Sequence, residues 1–196
     1  MPPSPPPLIL ASTSIYRREL LERLRLPFEV ASPGVEEVPL PGEAPSALAG
    51  RLARAKAEAV AGRHPGAVVI GSDQVADLQG VALGKPGTAE RARAQLSAAS
   101  GQTVVFHTAV AIARPGGAPL EHVDGTRVRF RLLDAATVER YVAIDRPLDC
   151  AGGFRSEGLG IALFEAIETE DPTALVGLPL AWVARALASV GLDPLG

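Results

Sequence analysis

Short apolar runs alternate with longer amphipathic stretches along most of the chain. Residues 8–11, Leu-Ile-Leu-Ala, predict a buried strand that ends in the small polar turn Ser12-Thr13-Ser14. An amphipathic helix opens there with Ser14 as its N-cap, and Leu20 and Leu21 lie on its apolar side. Residues 28–31 read as a short strand. A loop over residues 32–45 follows, with four prolines and three acids, Glu36, Glu37 and Glu43, which are expected to be solvated. Ser46 is the expected cap of a helix to about Arg63, whose apolar face is spaced as Leu48, Leu52, Ala55 and Ala59 with Lys56 close beside it.

Residues 68–72, Val-Val-Ile-Gly-Ser, predict a strand covered on both faces, with Asp73 at its end and extended chain onward to Gly80. Lys85 falls in a turn between Gly84 and Pro86. A helix over residues 88–100 has Ala92, Leu96 and Ala99 as its stripe. Residues 103–113 and 122–132 form a long hairpin around Pro115-Gly116-Gly117, and Asp134 caps a helix containing Val138, Tyr141 and Val142. After the glycine-rich residues 150–160, a strand is expected at 161–164, a polar turn at 169–173, and a last apolar helix with Trp182 in the core. Strands alternating with helices, interrupted by a hairpin, indicate an α/β protein with a mixed sheet.

Composition narrows the function. A chain of 196 residues can bury about 70% of its unfolded surface. A net charge of −3 offers no bulk attraction to nucleic acid or to an anionic membrane, so any anion site must be local. Arg127, Arg129 and Arg131 share one strand face without interleaved aromatic residues, which fits a solvated face better than a nucleic-acid platform. Cys150 is the sole cysteine and is read as a buried structural thiol. His64, His107 and His122 lack metal-ligand spacing. The opening MPPSPPP has no basic leader, and no apolar run reaches about 18 residues, so residues 1–7 are expected to be a flexible tail on a cytoplasmic protein.

The candidate chemistry is that of an anion site. Ser12, Thr13 and Ser14 offer hydroxyls and backbone N–H groups at a helix start, while Arg17 and Arg18 fall in the first turn, where cations oppose the helix dipole. A negative ligand would compensate them. Asp73, at a strand end, is a stronger candidate than the loop acids. Lys56 and Lys85 are the only lysines among nineteen basic residues, which suggests sites that need a compact ammonium. Glu157 is the acid to watch in the glycine-rich stretch.

These motifs resemble the Maf family of nucleoside triphosphate pyrophosphatases, and most closely its 7-methyl-GTP branch. The resemblance runs from Leu8 to Pro194 through Leu10-Ala11-Ser12-Thr13-Ser14 with Arg17-Arg18, Val35-Glu36-Glu37, the Lys56 helix, Gly71-Ser72-Asp73-Gln74 and Gly84-Lys85-Pro86. It continues in Cys150-Ala151-Gly152, Ser156-Glu157-Gly158 and Leu175-Val176-Gly177-Leu178-Pro179. It implies one domain over residues 8–196 with an inosine-triphosphatase-like fold, a long twisted mixed sheet flanked by helices, and two lobes with a cleft between them.

Carried over by position, the resemblance implies that Ser12, Ser14, Arg17 and Arg18 bind phosphate and that Glu37 and Asp73 hold a divalent cation, Mg²⁺ or Mn²⁺. Asp73 also corresponds to the proton acceptor, and Lys56 and Lys85 to active-site lysines. Tyr16, Gln74 and Glu157 resemble the methyl-guanine branch, where the dTTP/UTP branch has Arg, Thr and Gln. Ile15 replaces a usual Pro, and Glu36 a usual Asp. The implied partner is a small-molecule nucleotide, with no nucleic acid and no membrane, and a homodimer is compatible with the resemblance. A pyrophosphatase for other nucleotides and a non-catalytic nucleotide-binding regulator of septum formation are the rival readings.

Overall fold

The computed structural model describes residues 5–196, so Met1–Ser4 of the expected tail lie outside the described residues. Its centre is a seven-stranded mixed sheet in the order β2-β1-β3-β5-β6-β7, with β4 also paired to β3. The strands are β1 (Leu8–Ala11), β2 (Glu29–Val30), β3 (Val68–Leu78), β4 (Val81–Leu83), β5 (Thr103–Arg114), β6 (Gly117–Phe130) and β7 (Phe164–Glu168). β1 runs parallel to both β2 and β3, and every other pairing is antiparallel. The helices are α1 (Ile15–Glu22), α2 (Pro45–Ala61), α3 (Ala89–Ala99), α4 (Ala135–Asp145) and α5 (Leu180–Ala188).

Period-two alternation on the central strands decides which helix meets which residue. Leu8 and Leu10 of β1 and Val68 and Ile70 of β3 pack with Leu20 and Leu21 of α1 and with Val183 and Leu187 of α5. Ile9, Ala11 and Val69 face Val60 of α2 on the other side. Further along the sheet, Leu48, Leu52, Ala53 and Ala57 of α2 cover Val75, Ala109 and Ala111. A separate core beneath α3 and α4 gathers Leu96, Phe106, Phe130, Val138, Tyr141 and Phe154, with the Phe154 ring edge-on to Phe106 and Phe130. These cores form two lobes joined by the long strands β3, β5 and β6.

Several boundaries differ from the sequence expectation. β3 does not end at Asp73 but continues to Leu78, because β5 pairs with it from Val69 through Asp77. α2 starts at Pro45 rather than after a Ser46 cap. Its N-cap is Ala44, which has no capping side chain, and proline suits the first helical position because its missing N–H would be unpaired there. Residues 159–163 form a 3-10 turn, so the expected strand at 161–164 begins only at Phe164. Trp182 is partly buried and stacks on His122 at the edge of its core. Thr88 and Asp134 cap α3 and α4. Arg127 and Arg129 face solvent and pair with Glu168 and Glu165 of β7, which accounts for two of the three strand arginines.

Candidate active site

The cleft arises from a gap in the pairing of β3. Its partner β1 stops at Ala11, opposite Gly71, and the next strand along that same edge, β4, begins pairing only at Ala76. The unpaired stretch of β3 borders an opening of about 380 Å³, which Gln74 lines directly. The turn after β1 brings Ser12, Thr13, Ser14, Tyr16 and Arg17 to its rim, and the turn after β4 brings Lys85. The segment after α4 supplies Asp149, Cys150, Phe154, Arg155, Ser156 and Glu157. The chemistry thus sits where β1 ends, beside a strand that runs on.

Alternation on β3 then sorts its side chains. Gly71, Asp73 and Val75 face α2, and Gly71 lets that helix approach: a Cβ there would stand 2.5 Å from Ala57 N and closer still to Ala53 O. This close approach carries Lys56 onto Asp73. Lys56 is 4% exposed, and its Nζ donates to Asp73 Oδ1 at 2.6 Å and pairs with Glu37 Oε1 at 2.5 Å. The 32–45 loop that carries Glu37 is anchored by Glu43, which accepts from Arg51 Nε at 2.6 Å, Arg51 Nη2 at 2.8 Å and Leu40 N at 3.0 Å. Glu43 therefore has a bonded role in place of the solvated one expected.

The opposite face of β3 is a wall. Ser72 Oγ lies 2.9 Å from both Ala109 O and Gly177 O. Gln74 Nε2 donates to Thr108 Oγ1 and to the carbonyls of Ala174 and Leu175. Arg17 Nε donates to Gly177 O at 3.0 Å, which leaves the two terminal amino groups of its guanidinium for the cleft. Ser14 caps α1 by accepting from Arg17 N, and Ser14 N donates to Ser12 Oγ at 3.1 Å. Ile15 takes the first helical position of α1, where proline is favoured, and is 61% exposed.

Burial and charge set the protonation of the group. Burial raises Asp73 above its ordinary range, against the opposing pull of Lys56 and Arg17. Partial burial would also raise Glu37, but the hydrogen bond and charge of Lys56, with Lys85 and Arg17 beyond it, outweigh burial and leave that carboxyl below its ordinary range. Burial lowers Arg17, opposed by Asp73 and Glu37.

Most of the sequence-derived residues thus converge: Ser12, Ser14, Tyr16, Arg17, Glu37, Lys56, Gln74, Lys85 and Glu157 line the cleft, and Asp73 lies directly beneath Lys56. Arg18 does not join them. It projects from the outer face of α1 and pairs with Glu22 one turn on, with 61% of its side chain exposed. Its sequence neighbour Arg17 takes the inward position because adjacent residues on a helix diverge by about 100°. Cys150 is a cleft residue of intermediate exposure rather than a core thiol, and burial with Asp149 and Glu157 nearby pushes it up to about 12, so it stays protonated.

The sequence reading gave no role to Gly71, to the Gly177 carbonyl, or to Tyr141, Asp145 and Arg155. A lone glycine inside a β-branched run was a usable signal for Gly71. The others depend on contacts across 10 to 160 positions.

Paired carboxylates beneath converging cations, at an opening in a mixed sheet, define an α/β protein with a site for a polyanionic ligand. The chain belongs to the Maf-like protein family, whose profile matches residues 7–190. It is 61% identical over 186 residues to a 7-methyl-GTP pyrophosphatase of Xanthomonas oryzae pv. oryzae, covering 95% of this chain and 97% of that one. It is 58% identical over 191 residues to a protein of the same name from Polaromonas sp., covering 97% and 87%. A third of that name, from Bordetella pertussis, is 55% identical over 196 residues, covering 100% and 98%. A solved nucleoside-triphosphatase / dITP/XTP pyrophosphatase from Mycobacterium abscessus superposes with a TM-score of 0.48 at 17% identity, covering 93% and 96%.

Proposed function

We infer that the protein hydrolyses 7-methyl-GTP to 7-methyl-GMP and pyrophosphate through one domain spanning residues 8–196. The observation that carries this reading is identity of 55–61%, over nearly the full length, to relatives named 7-methyl-GTP pyrophosphatase. The cleft supports it with a charge division suited to such a molecule. Arg17, Lys56 and Lys85 are grouped around Glu37 and Asp73, while Asp149 and Glu157 are grouped around Cys150. The first group suits a triphosphate and the second a cationic purine.

Water attacks the α-phosphorus, the bond to the bridging α–β oxygen breaks, and pyrophosphate leaves. Asp73 is the base that takes the water's proton, and its burial gives it more basicity than an exposed aspartate has. Lys56 keeps Asp73 ionised and is close enough to share its charge with a phosphate oxygen. Arg17 and Lys85 stabilise the charge that develops on the phosphoryl oxygens, with the Ser12 to Ser14 turn adding donors at the α1 N-terminus.

A divalent ion fits the two acids. Glu37 and Asp73 each give one oxygen to Lys56 and keep a second hard oxygen donor. No group of three or more His, Cys, Asp or Glu residues that could hold a metal occurs among the described residues. Mg²⁺ or Mn²⁺ would therefore take these two carboxylates and fill its shell with water and phosphate oxygens. When bound, such an ion neutralises charge on the triphosphate and the leaving pyrophosphate.

Base selection rests on Tyr16 and Glu157. Methylation at N7 makes guanine cationic, and an aromatic face contributes about 0.5–2 kcal/mol to such a cation. Gln74 contributes by fixing the 174–175 wall. Pyrophosphate release from 7-methyl-GTP, GTP, dTTP and UTP with Mn²⁺ tests the reading. Higher kcat/KM for 7-methyl-GTP is expected. Preference for the pyrimidine nucleotides would overturn the substrate, and no release from any of them would overturn the enzyme.

A further inference from the structure

The end of α4 carries an arrangement that its helix does not favour. Asp145 is the last helical residue, where a negative charge opposes the dipole, and Arg146 after it adopts the left-handed conformation at φ 46°. Asp145 is nevertheless largely buried, with 11% of its side chain exposed, and each of its oxygens is engaged. Oδ1 accepts from Arg155 Nη2 at 2.9 Å, and Oδ2 accepts from the Tyr141 hydroxyl at 2.9 Å. Arg155 Nη2 also donates to the Asp145 carbonyl at 2.6 Å, and Arg155 N donates to Tyr141 Oη at 3.1 Å. Gly158 passes so close that a Cβ there would lie 3.3 Å from both carboxylate oxygens. Arg155 lines the cleft with Tyr16 and Glu157, and its Nε is buried without an acceptor among the described residues. The Tyr16 hydroxyl and Asp145 together hold its guanidinium above the ordinary arginine range.

We propose that Asp145 is a specificity-determining positioning residue, which orients Arg155 and balances its charge so that the base end of the cleft accepts a cationic purine. The inference rests on the reading of this cleft as a 7-methyl-GTP site. Arg155 is the cation whose charge acts on this part of the cleft together with Asp149 and Glu157, as all three bear on Cys150. With Asp145 neutral, only Asp149 and Glu157 would offset the positive charge of Arg155, and more of that charge would act on the bound base. A methylated guanine would feel that repulsion and plain guanine would not. Loss of the clamp alone would loosen residues 155–158 for both substrates equally, so discrimination between them separates a charge-balancing role from a merely structural one.

The experiment compares Asp145→Asn with the unaltered enzyme, using kcat/KM for 7-methyl-GTP and GTP and the inhibition constants of 7-methyl-GMP and GMP. The methylated-to-plain ratio should fall about tenfold, mainly through KM and the inhibition constants. The fall should shrink as salt is raised from 0.05 to about 0.5 M. Adding Arg155→Gln to Asp145→Asn should restore part of the ratio, because the unbalanced cation is gone. Equal losses for both nucleotides, a ratio insensitive to salt, or no recovery in the double variant would overturn the proposal. The unaltered enzyme separates the two claims: if it prefers other nucleotides, the substrate reading fails, yet the change of ratio caused by Asp145→Asn still decides the role of Asp145.

Discussion

Replacing Lys56 by Met tests the arrangement at the centre of the cleft. Methionine keeps an unbranched apolar stem of similar reach, so the change removes the ammonium with little cavity. Asp73, 6% exposed, would then hold a buried carboxylate without its partner, beside Glu37. Removing one member of a buried ion pair costs about 3–5 kcal/mol. The Glu37 side chain is 48% exposed, so its pairing with Lys56 is screened and adds a small part of this. For a chain of this length the loss corresponds to a Tm lower by about 10 °C.

The penalty depends on pH in a definite direction. Burial already holds Asp73 above its unfolded value near 3.9, and loss of Lys56 raises it further. A raised carboxyl is disfavoured where it is ionised, so the destabilisation is full at pH 8 and diminishes as pH falls through the folded pKa. Urea unfolding at pH 8 and pH 5 should show a smaller gap between variant and unaltered protein at the lower pH. The double variant Lys56→Met/Asp73→Asn should recover most of the loss, since both charges are then gone. A gap of the same size at both pH values, or a double variant no more stable than the single one, would refute the buried-pair reasoning.

Three further outcomes follow from the geometry. Asp73→Asn should lower kcat by about 10²–10⁴ while leaving the protein folded, and in the unaltered enzyme the acid limb of kcat/KM should fall at a pH above the ordinary aspartate range. Arg17→Ala should cost about 10²–10³ in kcat through loss of a phosphate-facing donor, whereas Arg18→Ala should change activity less than twofold and stability by less than about 0.5 kcal/mol, because its partner Glu22 is itself exposed. Gly71→Ala should lower stability by about 1–3 kcal/mol or more, since the new Cβ meets backbone of α2 rather than a movable side chain. It should depress turnover further than that loss explains, because α2 carries Lys56, and steady-state kinetics with calorimetry compares the two effects.

Local chemistry explains what was legible in the chain. Caps at Ser14, Thr88 and Asp134, the stripe of Ala92, Leu96 and Ala99, and the alternation of Arg127 with Val128 act over a few residues, and the sequence carries them openly. The inward turn of Arg17 was not legible, since it depends on the Gly177 carbonyl 160 positions away. Asp73 was expected at a strand end because an apolar run stops there. Pairing with β5 extends the strand past this charged residue, whose buried cationic partner Lys56 sits on helix α2. Glu43 was read as a solvated loop acid because nothing in its own segment foretells Arg51, the seventh residue of the next helix.

The division of labour between Asp73 and Gln74 follows from the pleat. Adjacent residues of one strand point to opposite faces, so Asp73 meets α2 while Gln74 binds the backbone at Ala174 and Leu175. A slip of one residue in β3 would exchange them, placing the amide against Lys56 and the carboxylate among carbonyl oxygens. Both outcomes are costly: Lys56 would lose its buried counter-charge and keep only the half-exposed Glu37, and two carbonyl acceptors would lose their donor. Register is held from three sides, by β1 up to Gly71, by β5 through Asp77, and by β4 from Ala76. Gly71 adds a steric check, since either neighbouring residue in its place would put a side chain into the backbone of α2. The position of the candidate base is therefore set by the pairing of the sheet, and the pairing is enforced by the same glycine that admits its lysine.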